Sequence, residues 1–348
     1  MKKVNIGEYT LEIPLIQGGM GVGVSLGNLA GHVALCGGMG MISTAQIGFK
    51  EPDFKTNVKQ ANKRAIVKEI KKAKEIAKGH GMVGVNIMVA LRDYKEHVLT
   101  AIQAGADCII SGAGLPLTLP GLITHTKTKI APIVSSGKAA KLILRSWDRK
   151  FHKTADFIVI EGVKAGGHLG FKKEDVKNHT AQPLLEILAD VKKEVTAYRE
   201  KYQKYIPIFV AGGIFTHEDI VEAINAGADG VQMGTRFIGT KECDASEAYK
   251  QAFVNCRKED IVIVDSPVGL PGRAMNNAFV KKGHHPISEC FACIKSCHMT
   301  NAPYCITEAL INAVKGDLDH GLIFTGSNGY RIENIVSVKE LITELMGE

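Results

Sequence analysis

The residues most suited to chemistry lie in the stretch Glu161-Gly-Val-Lys-Ala-Gly-Gly-His168-Leu-Gly170. An imidazole can take or give a proton near neutral pH. Gly162, Gly166 and Gly167 ahead of it let a backbone approach a ligand closely, since glycine has no Cβ and reaches positive φ cheaply. An isolated glycine turn with one histidine is more often structural than catalytic. Here it is one of several glycine-rich segments that each follow a short apolar run: Gln17-Gly-Gly-Met20, Ser111-Gly-Ala-Gly114, Gly212-Gly213 and Gly234-Thr-Arg236. A second cluster is made of thiols. Four of the eight cysteines, Cys290, Cys293, Cys297 and Cys305, are spaced C-x2-C-x3-C-x7-C. Four thiolates suit a tetrahedral site for either zinc or an iron–sulfur cluster. His284, His285 and His298 nearby are substitute ligands by type, although loop histidines are usually just solvated.

These residues need a frame, and the apolar runs provide one. Leu15–Gln17, Gly37–Ser43, Val83–Met88, Cys108–Ser111, Ile130–Val134, Phe157–Glu161, Ile206–Ala211 and Gly230–Met233 read as strands buried on both faces. Seven segments with helical features separate them. Strict alternation means parallel strands with helical crossovers, and eight such units over roughly 240 residues fit a (β/α)8 TIM barrel. The runner-up is a doubly wound sheet. Ahead of the first strand, Val4–Ile6 and Tyr9–Glu12 read as a hairpin capping one barrel end. The phrase Ala-Gly-Ala-Asp occurs at 104–107 and 226–229, where its glycine reads as a helix C-cap and the phrase as a unit of construction. The expected organisation is a barrel over 1–236, a smaller, mostly helical region without a clear strand over 237–320, and a C-terminal segment over 321–348. In that last segment an amphipathic helix at Val336–Met346 returns to the barrel.

Barrels carry their active sites at the C-terminal ends of the strands, and often a phosphate after strands seven and eight. Glycine turns there present backbone N–H groups as an anion nest, which makes Gly212-Gly213 and Gly234-Thr235 the expected phosphate site. Amides and hydroxyls at the other strand ends (Gln17, Ser43, Thr44, Asn86), with Met20 and glycine backbone beside them, suit a flat heterocycle. A phosphorylated ring of that kind is flavin mononucleotide (FMN). No Gly-x-Gly-x-x-Gly with a following acid opens a helix, and there is no Walker-type lysine loop.

Gln17-Gly-Gly-Met20, Glu161-Gly-x-x-Ala-Gly-Gly-His168-x-Gly170, Ala211-Gly-Gly-Ile214, Gly230-Val-Gln-Met-Gly-Thr-Arg-Phe237 and Ser266-Pro-Val-Gly-Leu-Pro-Gly-Arg273 resemble the signatures of the nitronate monooxygenases, formerly 2-nitropropane dioxygenases. The type II, FMN-dependent enoyl-acyl-carrier-protein reductases belong to the same superfamily. The resemblance implies an FMN-binding role for Gln17, Gly18, Gly19, Met20, Asn86, Glu161, Gly166, Gly167, Ala211, Gly212, Gly213, Gln232, Gly234 and Thr235. It makes His168 the proton-transfer group, and Arg273 could bind an anionic substrate. One activity it implies is oxidation of alkyl nitronates or nitroalkanes with O2, His168 being the catalytic base. The alternative is NAD(P)H-dependent reduction of an enoyl thioester, and a flavin or metal redox protein without turnover is a third reading. The cysteine cluster is loosely similar to the triplet that flavin barrels of the dienoyl-CoA reductase kind use for a [4Fe–4S] cluster.

Composition agrees with a globular α/β protein: 45% hydrophobic and 23% charged residues, 37 glycines. The formal charge of +7 is spread along helix faces such as Lys68–Lys78, so we expect no nucleic-acid partner. No apolar run reaches the length of a membrane helix, and no signal peptide is evident. The expected setting is the cytoplasm, the expected partner a small-molecule substrate, and the expected assembly a homodimer.

Overall fold

The apolar runs form eight parallel strands in a closed barrel, with the connecting helices outside; the computed structural model describes residues 1–347. The barrel strands, in chain order, are Leu15–Gln17, Met39–Ser43, Met82–Met88, Cys108–Gly112, Lys129–Val134, Ile158–Glu161, Ile208–Ala211 and Gly230–Met233. Each pairs with its neighbours in sequence, and the ring closes where strand eight meets strand one, with Met233 opposite Gln17. Alternation of side chains across each strand feeds two separate cores. In strand seven, Phe209 and Ala211 point into the barrel, while Ile208 and Val210 face the helices. The interior is filled by Ile16, Met39, Met41, Met82, Ile110, Phe157 and Phe209, and Phe157 meets Phe209 edge-on at 5.9 Å between ring centroids. Val4, Ile6 and Leu11 of the N-terminal hairpin, Val4–Ile6 with Tyr9–Leu11, join that interior core. The hairpin therefore plugs the barrel.

The two Ala-Gly-Ala-Asp phrases do the same work. Gly105 (φ +79°) and Gly227 (φ +96°) take the left-handed conformation that ends a helix. The aspartate two residues on then accepts an N–H at the start of a neighbouring strand: Asp107 from Val83 and Asp229 from Ile208, each at 2.8 Å.

The expectation of a strandless region over 237–320 is overturned. Ile261–Asp265 pairs antiparallel with Pro271–Met275, with Ile263 opposite Arg273. The second of these strands also pairs with Gly167–His168, placing Gly272 opposite His168 and Arg273 opposite Gly167. Ile261-Val-Ile-Val has the β-branched composition that favours strands. The other partner of Pro271–Met275, Gly167–His168, lies about a hundred residues upstream, so no local pattern shows that pairing. The region also contributes the helices Glu247–Val254 and Ile306–Lys315. Past it, the C-terminal helix Val338–Met346 is entered through a capping box of Ser337 and Glu340. It packs beside helices Gly27–Leu35 and His217–Asn225, the outer-ring position between strands eight and one. Among the described residues no helix is long and apolar enough to cross a membrane.

Candidate functional site

A cleft of about 450 Å³ opens at the C-terminal ends of the strands, and its two ends differ in chemistry. One is lined by glycines and small polar groups from strands one, seven and eight. The other is apolar, with Met88, Leu91, Leu115, Val134, Leu270, Ile294 and Leu310.

The glycine end has the form of a backbone-lined cradle that could take an anion. Gly212 (φ +98°) and Gly213 (φ +99°) hold a conformation that side-chain-bearing residues rarely adopt. A Cβ on Gly212 would lie 2.7 Å from the Gly162 carbonyl oxygen. Gly234 and Thr235 form the adjacent wall. The third wall is Thr325-Gly-Ser-Asn328, which the sequence reading did not include. The Gly326 N–H donates to Thr235 Oγ1 at 2.9 Å, Asn328 Nδ2 donates to the Gly213 carbonyl at 2.8 Å, and the Ser327 N–H donates to the Lys164 carbonyl at 3.1 Å. The signal was a cluster of turn-forming residues after the apolar Leu322-Ile-Phe324, but nothing local says where such a turn docks. Lys164 runs past Gly213 with its charge unpaired among the described residues. Two polar atoms lining this cleft, Gln232 Oε1 and Ser327 Oγ, are buried without any hydrogen-bond partner. Buried polar atoms are nearly always paired, so these two mark places where a ligand supplies the partner. A backbone-lined anion nest, a free lysine and unsatisfied amide and hydroxyl groups fit a phosphorylated, hydrogen-bonding ring such as FMN.

His168 stands where the Gly166-Gly167 turn meets the antiparallel sheet, and it lines the same cleft. Its Nε2 lies 2.7 Å from Ser266 Oγ, and its ring sits edge-on to Phe324 at 4.9 Å. Ser266 Oγ also accepts the Val268 N–H at 3.3 Å. Burial pushes the imidazole pKa down to about 4 with no charged group contributing, because desolvation disfavours the cation. His168 is therefore neutral at pH 7. Gly166 has to be glycine for space: a Cβ there would lie 2.6 Å from the Gly326 nitrogen. The turn that carries His168 and the glycine-lined end of the cleft are thus in backbone contact.

Glu161, the last residue of strand six, also lines the cleft. Burial raises its pKa to about 8, opposed by the charge of Arg273. Arg273 is itself buried and donates through Nη1 to the Ala165 carbonyl.

The structure brings together Gly18, Gly19, Met20, Asn86, Glu161, Gly166, Gly167, His168, Ala211, Gly212, Gly213, Gln232, Gly234 and Thr235 around the one cleft. Gln17 is not among its lining. It is fully buried in the barrel wall, where Nε2 donates to the Gly18 carbonyl at 2.5 Å and Oε1 accepts the Met41 N–H at 3.1 Å. It holds the first glycine turn in place rather than presenting its amide.

For the metal reading of Cys290, Cys293, Cys297 and Cys305, the structure shows no assembled ligand set among the described residues. All four are free thiols, and among the described residues no three His, Cys, Asp or Glu side chains form a group that could hold a metal ion. The chain between them does not fold as a compact knuckle. Ile294 is pinned to Leu91 by an antiparallel bridge, and the Arg92 N–H donates to the Cys293 carbonyl at 3.1 Å. Cys293 is thereby held at the cleft wall and Cys290 is left exposed, while Cys305 leads into helix Ile306–Lys315.

Comparison with known proteins gives a family. Residues 2–348 match the family described as nitronate monooxygenase. A probable nitronate monooxygenase of Staphylococcus saprophyticus is 27% identical over 195 residues, covering 56% of this chain and 51% of that protein. The match therefore spans about half the length of that curated relative. Among solved structures, FabK from Thermotoga maritima superposes with a TM-score of 0.71 at 24% identity, covering 97% of this chain and 92% of the other. The nitroalkane oxidase from Streptomyces ansochromogenes gives 0.70 at 20% identity, covering 97% and 96%. At these identities the two superpositions speak for the fold alone.

Proposed function

The chain belongs to the nitronate monooxygenase family, and from that premise we propose that it is an FMN-dependent oxidoreductase that oxidises alkyl nitronates or nitroalkanes with O2. The observation that carries the reading is the anion cradle with its two unpartnered polar atoms, Gln232 Oε1 and Ser327 Oγ, in one cleft with His168. Gly212, Gly213, Gly234, Thr235 and the Gly326–Asn328 backbone would hold the phosphate. Gly18, Gly19, Met20, Asn86 and Gln232 would hold the ring. Bound FMN supplies the electron transfer that no side chain here can perform.

The protein's share is proton handling and positioning. In the tautomer whose Nε2–H donates to Ser266 Oγ, the Nδ1 lone pair of His168 is the base that takes the α-proton of a neutral nitroalkane. A nitronate arrives already deprotonated, and the neutral imidazole then serves to orient it. General-base catalysis of this kind contributes about 10²–10⁴-fold. The apolar end of the cleft takes the alkyl portion and excludes water.

A second reading, NAD(P)H-dependent reduction of an enoyl thioester, is supported by the apolar lining of that end and by the fold shared with FabK. One experiment separates the two. Protein reconstituted with FMN is mixed anaerobically with a nitronate, then with NADH or NADPH, while the flavin absorption is followed. Bleaching by nitronate, with O2 consumption on admitting air, supports the monooxygenase. Bleaching by NAD(P)H alone moves the assignment to the reductase, and failure to bind FMN sinks both.

A further inference from the structure

Glu161 is the one acidic side chain lining the cleft, and its carboxyl makes no side-chain hydrogen bond to the protein. It sits at the end of strand six with Ala211 opposite in the next strand, walled by glycine backbone. Arg273, on the strand Pro271–Met275, is the charged group that faces it, but that guanidinium is engaged by the Ala165 carbonyl and forms no ion pair within 4.0 Å. The other titratable groups lining the cleft are Lys164 and His168, both on the turn that follows strand six, with Tyr249 and Cys293. The remaining neighbours from strands six and seven are apolar or glycine. A partly buried carboxyl without a protein partner in a ligand cleft is free to hydrogen-bond with what binds there.

We propose that Glu161 enters the complex as a neutral carboxylic acid that donates a hydrogen bond to an acceptor atom of bound FMN, so that ionising this one carboxyl releases the cofactor. This rests on the FMN reading above. The physical case is desolvation. A carboxylate on that floor would face the cofactor in a site closed to water, with its only countercharge committed elsewhere, whereas the acid form costs little to bury and brings a donor. The raised pKa of about 8 agrees with this arrangement. Arg273 acts as a positioning residue: it joins the Ala165 carbonyl to the sheet that carries His168 and limits how far the carboxyl is neutralised.

The test is a titration of FMN fluorescence quenching with the whole apoprotein between pH 7 and 9.5. The cofactor phosphate is already a dianion across this range. The wild-type dissociation constant is expected to rise by about tenfold per pH unit above the carboxyl's midpoint. Glu161→Gln keeps a donor of the same shape without a titrating proton, so its affinity should stay flat across the range. Glu161→Ala should bind weakly at every pH, and its circular dichroism reports whether it has folded. A wild-type affinity that is flat or increases with pH, or a Glu161→Gln variant that keeps the pH dependence, overturns the inference while leaving the FMN reading intact. Absence of FMN binding at pH 7 overturns both.

Discussion

Replacing Gly166 by alanine isolates the contact that joins the proton-transfer turn to the anion cradle. The added Cβ would stand 2.6 Å from the Gly326 nitrogen and 2.7 Å from the Thr325 carbonyl carbon, whereas ordinary contact begins near 3.4 Å. Both neighbours are backbone, so no flexible side chain can swing away, and the two segments must part by most of an ångström. Gly166 does not have a positive φ, so the penalty is steric and not conformational. Overpacking of this kind typically costs about 1–3 kcal/mol. The displaced segment carries Ser327 and Asn328, so part of that cost falls on cofactor binding. At 1.4 kcal/mol per decade, FMN affinity should drop by about 5- to 100-fold. The assay is fluorescence-quench titration of apoprotein with FMN, alongside a melting curve to register what is taken from the fold. An affinity within twofold of wild type together with an unchanged melting temperature would refute the reasoning, because the clash would then have been absorbed without moving the cradle.

Four further outcomes are expected. His168→Ala should lower turnover by about 10²–10⁴-fold while leaving FMN bound; unchanged turnover removes His168 from the mechanism. Because burial holds His168 near pKa 4, the imidazole is already deprotonated throughout pH 6–8, and kcat/KM should show no acidic limb there. A limb near pH 6.5 that vanishes in His168→Asn would contradict the buried, uncharged setting. Asn328→Ala removes the 2.8 Å bond that steadies the Gly213 carbonyl. A hydrogen bond of that kind is worth about 1 kcal/mol, so FMN should bind about fivefold more weakly while riboflavin, lacking the phosphate, is little affected. Equal losses for both would place the cradle elsewhere. Timed iodoacetamide labelling read by mass spectrometry should reach exposed Cys290 ahead of Cys293 and Cys305, whose thiol pKa values burial pushes up. Protection of all four until a chelator is added would restore a metal to the cluster.

The sequence by itself determined the barrel and most of the cleft lining. Strands such as Ile208–Ala211 are apolar on both faces because one face packs inside the barrel and the other under helices, and that shows as an unbroken local run. The glycines and His168 were legible for a related reason: in a parallel barrel every strand end points to the same face, so position along the chain already implies convergence. What tertiary structure decided were the contacts between distant segments. The pairing of Pro271–Met275 with Gly167–His168 fixes the turn that carries the imidazole, and the docking of Thr325–Asn328 completes the anion cradle. Neither has a local signature, since a strand's composition does not name its partner and a turn's composition does not name its place. The same limit applies to Gln17 and to the four clustered cysteines. Gln17 has a ligand-binding amide, which the fold spends on Gly18 and Met41. The cysteines have ligand spacing along the chain, but the bridge between Leu91 and Ile294 sets where their sulfurs lie.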